Sequence, residues 1–573
     1  MTGSNPSEEG LRTLGRAVDQ AARRPAARRA NGAPAHGSRQ PNGARPRTAP
    51  KPHKRRWVKR TLLISLCVIV IAVVAAVGFA WYLNHKIHRV SVTGLSPGAS
   101  TGRDAGTENI LLVGSTTRCG LAHQTPAYGL CTQGVNGVNS DVVMILHLSP
   151  ATKAVSILSL PRDLFIPNAR RTGAYKIDSA LAQGPSQLVA AVEEDFAIPI
   201  QRYVELTFDS FAAVVDQLGG ITMEFPDPVF DRYSGLKIFK AGCYHLDGKQ
   251  ALTVVRARHL QYWVPGQPKT WPYTWPQEAQ SDLARIRRDH EFLRVLASEV
   301  AKRGLGNPAS DLSLINAVAP HLTVDNGFSA TQMVHLVLSF HTVNVNKAPT
   351  YTLPVAVDTF GTYIYQGGAF GDVEFPSQPV DQTTVDQFLG LGPDTNTMTG
   401  RPLPSPSSVT VSVLNGTGTT GQATQTSTSL GHLGFHMVGT GDTTPVAQYS
   451  ETLVTYSQRT PQDIAAAQLV ADSLSGAVIL HYGSTTDAAD VTVTTGSNFS
   501  VDTTPPHSVS KKSGSSTTSS TSSTSSTGSS AAGGSSGTTS TSAFTPPTSS
   551  RNPLASWDPR ACPAGVKATP DPW

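Results

Sequence analysis

Arginines and one aspartate recur at short intervals in two neighbouring stretches of the chain. Residues 255–259 are predicted to form the end of a strand, in which two arginines two positions apart point to one face. Residues 281–289 are predicted to begin a helix, in which two arginines three positions apart share a face, with an aspartate one turn away from the first. The set comprises Arg256, Arg258, Arg285, Arg288 and Asp282.

Four guanidinium groups that converge on one pocket repel one another unless an anion lies between them. The planar guanidinium is well shaped for bidentate contacts to phosphate oxygens. If the predicted strand and helix pack together, the pocket therefore suits a polyphosphate. The alternative is a solvated basic helix whose arginines pair with surface carboxylates, and spacing alone leaves both interpretations open.

The positive charge of the chain is concentrated at its N-terminus. The 573 residues carry a net charge of +6, but residues 1–60 hold fifteen Lys and Arg against three Asp and Glu, which gives +12. The remainder therefore carries 6 − 12 = −6. This division argues against a nucleic acid as the partner of the main domain.

Residues 61–83 form a run of 23 residues without a charged side chain, which is long enough to cross a bilayer. Basic residues precede the run, and Trp81 and Tyr82 lie at its far end. The run begins too late and is too long for a cleaved signal peptide. By the positive-inside rule, we predict a single-pass protein of the cell membrane with a cytoplasmic N-terminus and extracellular C-terminal domains.

The region from residue 107 to residue 360 alternates between strand-like and helix-like patterns. Such alternation is typical of an α/β domain with a mixed sheet. Strands are predicted at 109–114, 141–148, 154–160, 203–207 and 221–225, and helices at 187–196, 208–218, 289–302 and 330–340.

The rest of the chain divides by composition. The predicted parts are a disordered basic cytoplasmic tail at 1–60, a stalk at 84–106, a linker at 361–406, a small C-terminal α/β domain at 407–483 and a disordered Ser/Thr-rich tail at 484–573. Cys119 and Cys131 flank a loop, and an extracellular location would permit a disulfide between them. Whether Cys243 and Cys562 pair or stay free is left open.

Six ordered motifs resemble the LytR-CpsA-Psr proteins, which are membrane-anchored enzymes of bacterial cell walls. They lie at 109–115, 139–141, 160–163, 176–178, 255–258 and 281–289. Residues 411–418 and 433–435 are similar to the small C-terminal domain of many actinobacterial members.

The resemblance implies a three-layer α-β-α sandwich with a mixed central sheet and an apolar groove for a lipid chain. It also implies a phosphotransferase that moves a glycopolymer from a polyprenyl-pyrophosphate carrier to peptidoglycan through a phosphodiester bond. The expected partners are the lipid-linked glycan, peptidoglycan and the membrane.

The matching motifs also imply roles for single residues. The pyrophosphate is expected to contact Arg118, Arg162, Lys176, Arg256, Arg258, Arg285 and Arg288. Catalysis is expected to involve Arg162, Arg258, Arg285 and Asp282, the last of which would orient the arginines or accept a proton. Asp141 is expected to hold Mg²⁺, or Mn²⁺ in its place.

Two departures from the family pattern concern this site. Most members carry an acid where this chain has Thr116, which weakens the expected metal site, and a Gln pair where this chain has Asp289 and His290. The alternatives are therefore a non-catalytic protein that binds polyprenyl-pyrophosphate glycans or scaffolds wall assembly, or a pyrophosphatase. The retained Asp141 and the full arginine set favour the transferase.

Overall fold

The computed structural model describes residues 81–82, 84–98, 106–116, 131–133, 137–279, 281–302, 317–340, 347–357, 362–446, 449–504 and 552–570. The predicted cytoplasmic tail lies outside these ranges, as do residues 61–80 of the predicted membrane span. Within the described ranges, no helix has the length and apolarity needed to cross a membrane.

The described α-helices fall into two groups, six before residue 390 and two after residue 420. They are α1 Pro185–Phe196, α2 Phe208–Gln217, α3 Gly248–Val255, α4 Ser281–Lys302, α5 Ala330–Phe340, α6 Val380–Leu389, α7 Gln422–His432 and α8 Pro461–Ala471.

The described strands are mostly short. Up to residue 262 they are β1 His88–Val90, β2 Glu108–Ser115, β3 Ser140–Ser149, β4 Ala154–Leu160, β5 Phe165–Arg170, β6 Gly173–Lys176, β7 Arg202–Thr207, β8 Ile221–Phe225, β9 Val229–Asp231, β10 Leu236–Ile238, β11 Gly242–Leu246 and β12 Gln261–Tyr262. From there to residue 376 they are β13 Thr323–Asp325, β14 Thr350–Thr352, β15 Val355–Val357, β16 Ile364–Tyr365, β17 Gly368–Ala369 and β18 Glu374–Pro376. The remainder are β19 Thr410–Asn415, β20 His436–Asp442, β21 Thr452–Tyr456, β22 Leu474–Gly476, β23 Val478–Tyr482, β24 Val491–Thr495, β25 Phe499–Val501, β26 Arg560–Ala561 and β27 Thr569–Pro570.

A seven-stranded sheet in the order β1-β13-β7-β2-β3-β4-β14 forms the centre of the first domain. Strand β2 pairs antiparallel with β3 and parallel with β7, and β4 pairs parallel with β14. The sheet is therefore mixed, as the alternating sequence pattern predicted. The strands predicted at 109–114, 141–148, 154–160 and 203–207 all belong to it.

Helices cover both faces of this sheet. Alternate side chains of β2 point to opposite sides, so that Leu111 and Val113 pack against α1 and α6, while Ile110 packs toward α5. Fully burying an apolar side chain of this size contributes about 1.5–3 kcal/mol. The two apolar layers therefore hold the sheet between helices and fix the direction in which each strand residue points.

The end of a strand that we predicted at residues 255–259 is wrong, because a helix ends there and the chain continues as a loop. Helix α3 covers Gly248–Val255, and Arg256 is its C-cap residue. Asp247 and Gln250 form a reciprocal capping box at the start of the helix, with each side chain bonded to the other residue's backbone. The two arginines after the helix are consequently presented by a loop, not by a strand.

Two segments predicted to lie outside the first domain belong to it. The predicted stalk contains β1, which pairs with β13 in the central sheet. The predicted linker at 361–406 contains β16 to β18 and α6, and its residues Phe375 and Phe388 are 3% and 1% exposed. Pro, Gly and Asp in this segment mark turns between short elements, so the expectation of a linker was wrong.

The C-terminal domain is built on a five-stranded sheet in the order β20-β19-β24-β21-β23. Helices α7 and α8 pack against this sheet. Strands β24 and β25 extend the domain beyond residue 483, the end that we predicted, and β24 pairs parallel with β19 at the centre of the sheet.

The last described segment, residues 552–570, packs against the first domain and corrects the prediction of a disordered tail. We call it the C-terminal segment. Strands β26 and β27 add to the two edges of the antiparallel pair β8–β11. Cys562 forms a disulfide with Cys243, and Trp557 stacks on Tyr262 with ring centroids 3.7 Å apart.

Candidate active site

A cavity of about 440 Å³ lies between one face of the central sheet and helices α2, α3 and α4. Its apolar lining comes from every layer around it: Leu112, Val113, Val142, Met144, Leu206, Phe208, Phe211, Leu252, Val255, Phe292 and Leu293. Its charged lining is formed by Asp141, Arg162, Arg256, Arg258, Arg285 and Asp289. A cavity of this size and mixed character fits an amphiphilic ligand with an anionic head.

Helix α4 contributes a single stripe to the cavity. Arg285, Asp289 and the adjacent pair Phe292 and Leu293 are spaced by about one helical turn, so they lie on one side of the helix. The stripe changes from charged to apolar along the helix. This one element therefore supplies both the polar and the apolar part of the cavity wall.

Asp163 joins three of the basic side chains that we predicted to bind phosphate. Its carboxylate lies 2.9 Å from Lys176 Nζ, 3.4 Å from Arg162 Nε and 3.4 Å from Arg258 Nη2. Arg162 also donates to the carboxylate of Asp141. The structure thus brings residues from three distant motifs into one connected cluster.

Asp282 holds the two catalytic candidates of the later motifs together. Its Oδ1 lies 3.3 Å from Arg258 Nε and 2.9 Å from Arg285 Nη2. Asp282 is 6% exposed and is not among the residues that line the cavity. This geometry favours the orienting role over the proton-accepting role, because the carboxylate lies behind the arginines.

Carboxylates neutralise these arginines, so the arginines can lie close together without an anion between them. Arg285 Nη2 also donates to the backbone oxygen of Asp141 at 2.5 Å, and Arg285 Nε lies 3.8 Å from Asp289. Several N–H groups of each planar guanidinium remain for a ligand after one carboxylate contact. The cluster is consequently stable as it stands and can still contact an anion.

The pKa values of the cluster report how closely its charges approach one another. Burial, together with the nearby Arg162, lowers the pKa of Arg258 from its usual value. Burial acts to raise the pKa of Asp163, but Arg162 and Lys176 outweigh it and hold that pKa below its ordinary value. An added phosphate would relieve the repulsion between the cations.

Two further predicted phosphate ligands lie at the margin of the cluster. Arg256 lines the cavity. Its guanidinium carbon lies 4.7 Å from the centre of the Phe208 ring, which is a cation–π contact. Lys176 contacts Asp163 but does not line the cavity. Lys176 therefore stabilises the cluster from behind.

Arg288 is not brought to the cavity, contrary to our expectation. Its side chain is fully buried and contacts Glu278 at 2.6 Å and Asp558 at 3.3 Å, and its Nη2 donates to the Ala257 backbone oxygen at 2.5 Å. Asp558 belongs to the C-terminal segment and also binds Arg287. This arginine anchors α4 to the loop that carries Arg258.

Arg118 and Cys119 lie outside the described residues, so their predicted roles stay predictions. Cys131 is disulfide-bonded. Cys243 and Cys562, whose pairing the sequence left open, are bonded to each other.

Sequence reasoning missed three acidic residues that organise this region. Asp163 directly follows Arg162, but no sequence pattern indicates its contacts to Lys176 and Arg258. Glu278 and Asp558 hold Arg288 from positions 10 and 270 residues away in sequence. No local pattern indicates a partner at the second distance.

Comparison with known proteins identifies the family of the chain. The profile of the LytR_cpsA_psr family matches residues 83–374, just over half of the chain, and the profile described as LytR cell envelope-related transcriptional attenuator matches residues 408–499. The chain belongs to the LytR-CpsA-Psr family.

Curated relatives include proteins from Corynebacterium and Bacillus. The chain is 32% identical over 299 residues to the probable cell wall biosynthesis protein LcpB of Corynebacterium glutamicum, covering 51% of this chain and 65% of that one. It is 24% identical over 487 residues to the cell wall biosynthesis protein LcpA of the same organism, covering 77% and 86%. It is 26% identical over 281 residues to the polyisoprenyl-teichoic acid–peptidoglycan teichoic acid transferase TagV of Bacillus subtilis, covering 47% and 64%. The alignments thus span slightly less than two thirds of LcpB and of TagV.

Two solved structures are also similar. The LytR-Csp2A-Psr enzyme from Actinomyces oris is 26% identical, covers 47% of this chain and 88% of its own and has a TM-score of 0.36. Bacillus subtilis TagV is 23% identical, covers 50% and 98% and has a TM-score of 0.36.

Proposed function

We propose that this protein is a membrane-anchored extracytoplasmic phosphotransferase that moves a glycopolymer from a polyprenyl-pyrophosphate carrier to peptidoglycan. The observation that carries the proposal is the cavity, whose apolar walls meet a cluster of arginines along one helix stripe. The names of TagV and of LcpB, which refer to teichoic acid transfer and to cell wall biosynthesis, support the same function.

The two parts of the cavity match the two parts of the donor. The apolar residues of β2, β3, β7 and α4 would hold the polyprenyl chain, whose burial is favourable in proportion to its apolar area. Arg162, Arg256, Arg258 and Arg285 would contact the pyrophosphate oxygens, since guanidinium groups bind phosphate through paired N–H donors.

Transfer forms one bond and breaks another at the same phosphorus. The acceptor hydroxyl of peptidoglycan attacks the phosphorus that carries the glycan and loses its proton to solvent, and the bridging oxygen leaves with the polyprenyl phosphate. Negative charge accumulates on the leaving phosphate, so arginines already held in place by Asp163 and Asp282 stabilise the transition state without reorganising.

The residues of the cavity fit a divalent metal ion. Asp141 lines the cavity, and both carboxylate oxygens of Asp289 are buried there without a hydrogen bond. Carboxylate oxygens are ligands that Mg²⁺ and Mn²⁺ prefer. The described residues contain no group of three or more acidic, His or Cys side chains suited to a metal, so phosphate oxygens and water would complete the coordination. When bound, the ion neutralises charge on the phosphates.

The membrane anchor and the extracytoplasmic location are part of this proposal. Residues 61–83 supply the apolar run that would cross the bilayer. The disulfide between Cys243 and Cys562 suits the oxidising environment outside the cell.

A transfer assay tests the proposal. The full-length chain in detergent micelles is incubated with a polyprenyl-pyrophosphate glycan and peptidoglycan fragments, with Mg²⁺ or with chelator, and phosphodiester-linked product is measured. We expect Mg²⁺-dependent product that is lost in Arg258→Ala and Asp141→Ala. Donor binding without product would instead indicate a scaffold. Release of free glycan phosphate would indicate a pyrophosphatase. A chain that does not bind the donor would contradict all three functions.

A further inference from the structure

The carboxylate of Asp289 has no hydrogen-bond partner although it is almost completely buried. The residue is 4% exposed, lines the cavity, and neither of its carboxylate oxygens accepts a hydrogen bond within the described part of the chain. The nearest cationic atom is Arg285 Nε at 3.8 Å, which is beyond hydrogen-bond distance. A buried carboxylate in this condition is unfavourable unless it binds a proton or a ligand satisfies it.

Asp289 and Asp141 enter the cavity from opposite walls. Asp141 lies on β3 and Asp289 lies on α4, and both line the cavity. One guanidinium connects them, because Arg285 donates through Nη2 to the backbone of Asp141 and faces Asp289 with Nε. Both residues therefore lie beside the same arginine, Asp141 with its backbone oxygen and Asp289 with its carboxylate.

The hydroxyl of Thr116 is already engaged with the backbone. It donates to the Asn139 oxygen at 3.1 Å and accepts from the Asn139 N–H at 3.0 Å. Thr116 also lines the cavity but offers it no negative charge. A cation in this cavity would thus find its second carboxylate on α4 and not at the end of β2.

We infer that Asp289, together with Asp141, binds the divalent cation of this site and supplies the carboxylate that position 116 lacks. The inference rests on the proposed function, in that the same cation would neutralise the pyrophosphate. Mg²⁺ or Mn²⁺ bound there would satisfy oxygens that the protein leaves without a partner, and it would offset the proximity of two acidic side chains.

Direct measurement of Mn²⁺ binding tests the inference without donor, acceptor or turnover. Free and bound Mn²⁺ are distinguished by electron paramagnetic resonance on the full-length chain in detergent micelles. We expect Asp289→Asn to weaken Mn²⁺ binding at least about tenfold, since an amide removes a charged ligand of the metal. Asp381→Asn is the matched control, because Asp381 is also buried but does not line this cavity.

A rescue variant separates metal binding from damage to the fold. Adding Thr116→Asp to Asp289→Asn is expected to restore Mn²⁺ affinity to within a few fold of the unmodified chain. If Asp289→Asn does not fold, Asp289→Ser and its combination with Thr116→Asp are measured in its place.

Two results would overturn the inference. One is an unmodified chain that binds no Mn²⁺, and the other is an Asp289→Asn chain that binds it as tightly as before, which would indicate a neutral hydrogen-bonding role for Asp289. Intact Mn²⁺ binding in a chain that transfers no glycan would count against the proposed function and not against this site.

Discussion

Arg258 and Arg288 are the same residue type in different surroundings, and their substitution should have different effects. Arg258 lines the cavity with 27% of its side chain exposed and contacts Asp163 and Asp282. Arg288 is fully buried among Glu278, Asp558 and a backbone oxygen. The first arginine is placed to act on a ligand, and the second is placed to hold the fold.

Arg258→Lys should slow transfer about a hundredfold, the usual effect of losing one donor to developing charge. Lysine keeps the charge but lacks the planar set of donors that reaches a phosphate and two carboxylates together. The midpoint of thermal unfolding should stay close to that of the unmodified chain. Steady-state transfer rates and calorimetry on the same preparation check both statements.

Arg288→Lys is the comparison variant and should lower the free energy of unfolding by about 3 kcal/mol, because two buried carboxylates lose part of their partner. Chemical denaturation measures this change. An Arg288→Lys chain as stable as the unmodified one would contradict the structural role that we assign to this arginine.

The sequence was sufficient to select the arginines of the site, but it did not indicate which carboxylates pair with them. The spacing around residues 256–258 and 281–289 left a phosphate site and a solvated basic helix both open, and the family resemblance favoured the phosphate site. Asp163 and Asp558 could not be assigned in the same way, because a contact over 95 or 270 residues depends on how the chain returns to itself. The buried Asp289 was noted only as a departure from a family pattern.

At the scale of elements, helix α4 connects the cavity to the C-terminal segment. Its cavity stripe carries Arg285 and Asp289, whereas Arg287 and Arg288 contact Asp558 on its other side. The backbone oxygen of Leu283 also accepts from Asn552 at 2.7 Å. The C-terminal segment therefore fixes the helix that presents the predicted catalytic groups.

Asp558→Asn should destabilise the protein by about 3 kcal/mol, because the buried Arg288 and the partly buried Arg287 lose a shared anionic partner. The matched control is Glu299→Gln on the same helix, which removes an ion pair with the exposed Lys302 and should cost at most about 1 kcal/mol. Denaturant unfolding of both variants measures the difference. Equal effects would show that the C-terminal segment does not stabilise α4.

Element types were predictable where apolar periodicity and length agreed. Long strands such as β2 and β3 and the helix α1 were predicted within one or two residues. Residues 252–255 are a short apolar run that suits either state, and the capping box of Asp247 and Gln250 was the signal that would have identified the helix. Residues 362–406 are ordered because of their tertiary contacts, which their local composition does not indicate.

At the scale of the whole molecule, buried acids line the contact between the first domain and the C-terminal domain. Tyr456 donates to the Glu194 backbone oxygen at 3.0 Å, and Arg459 pairs with the Glu194 carboxylate. Burial raises the pKa of Glu194 to about 7, although the positive charge of Arg459 acts to lower that pKa. Burial also raises the pKa of Asp381, on α6, to about 7.

These shifts predict that the protein is less stable at alkaline pH. A carboxyl whose pKa is about 7 when folded and near 4 when unfolded binds its proton more tightly in the folded state. Its contribution is complete below pH 4 and is lost as the pH rises through 7. The unfolding temperature should therefore be higher at pH 5.5 than at pH 8.5.

Asp381→Asn should reduce the difference in unfolding temperature between pH 5.5 and pH 8.5, because an amide does not titrate. Asp372→Asn, at an exposed position, should leave this difference unchanged. Differential scanning calorimetry at both pH values gives the comparison. An unfolding temperature that rises from pH 5.5 to pH 8.5 would contradict the assignment of neutral carboxyls to this contact.

The central claim is that the cavity holds the lipid chain of the donor while the arginines hold its pyrophosphate. The most direct measurement is photoaffinity labelling of the full-length chain with a polyprenyl pyrophosphate that carries a photoreactive group on the lipid, followed by peptide mass spectrometry. We predict labels on Leu112, Met144, Leu206 and Phe292, which line the cavity, and loss of labelling in Arg258→Ala. Labels confined to residues outside the cavity, or labelling unaffected by Arg258→Ala, would contradict the account.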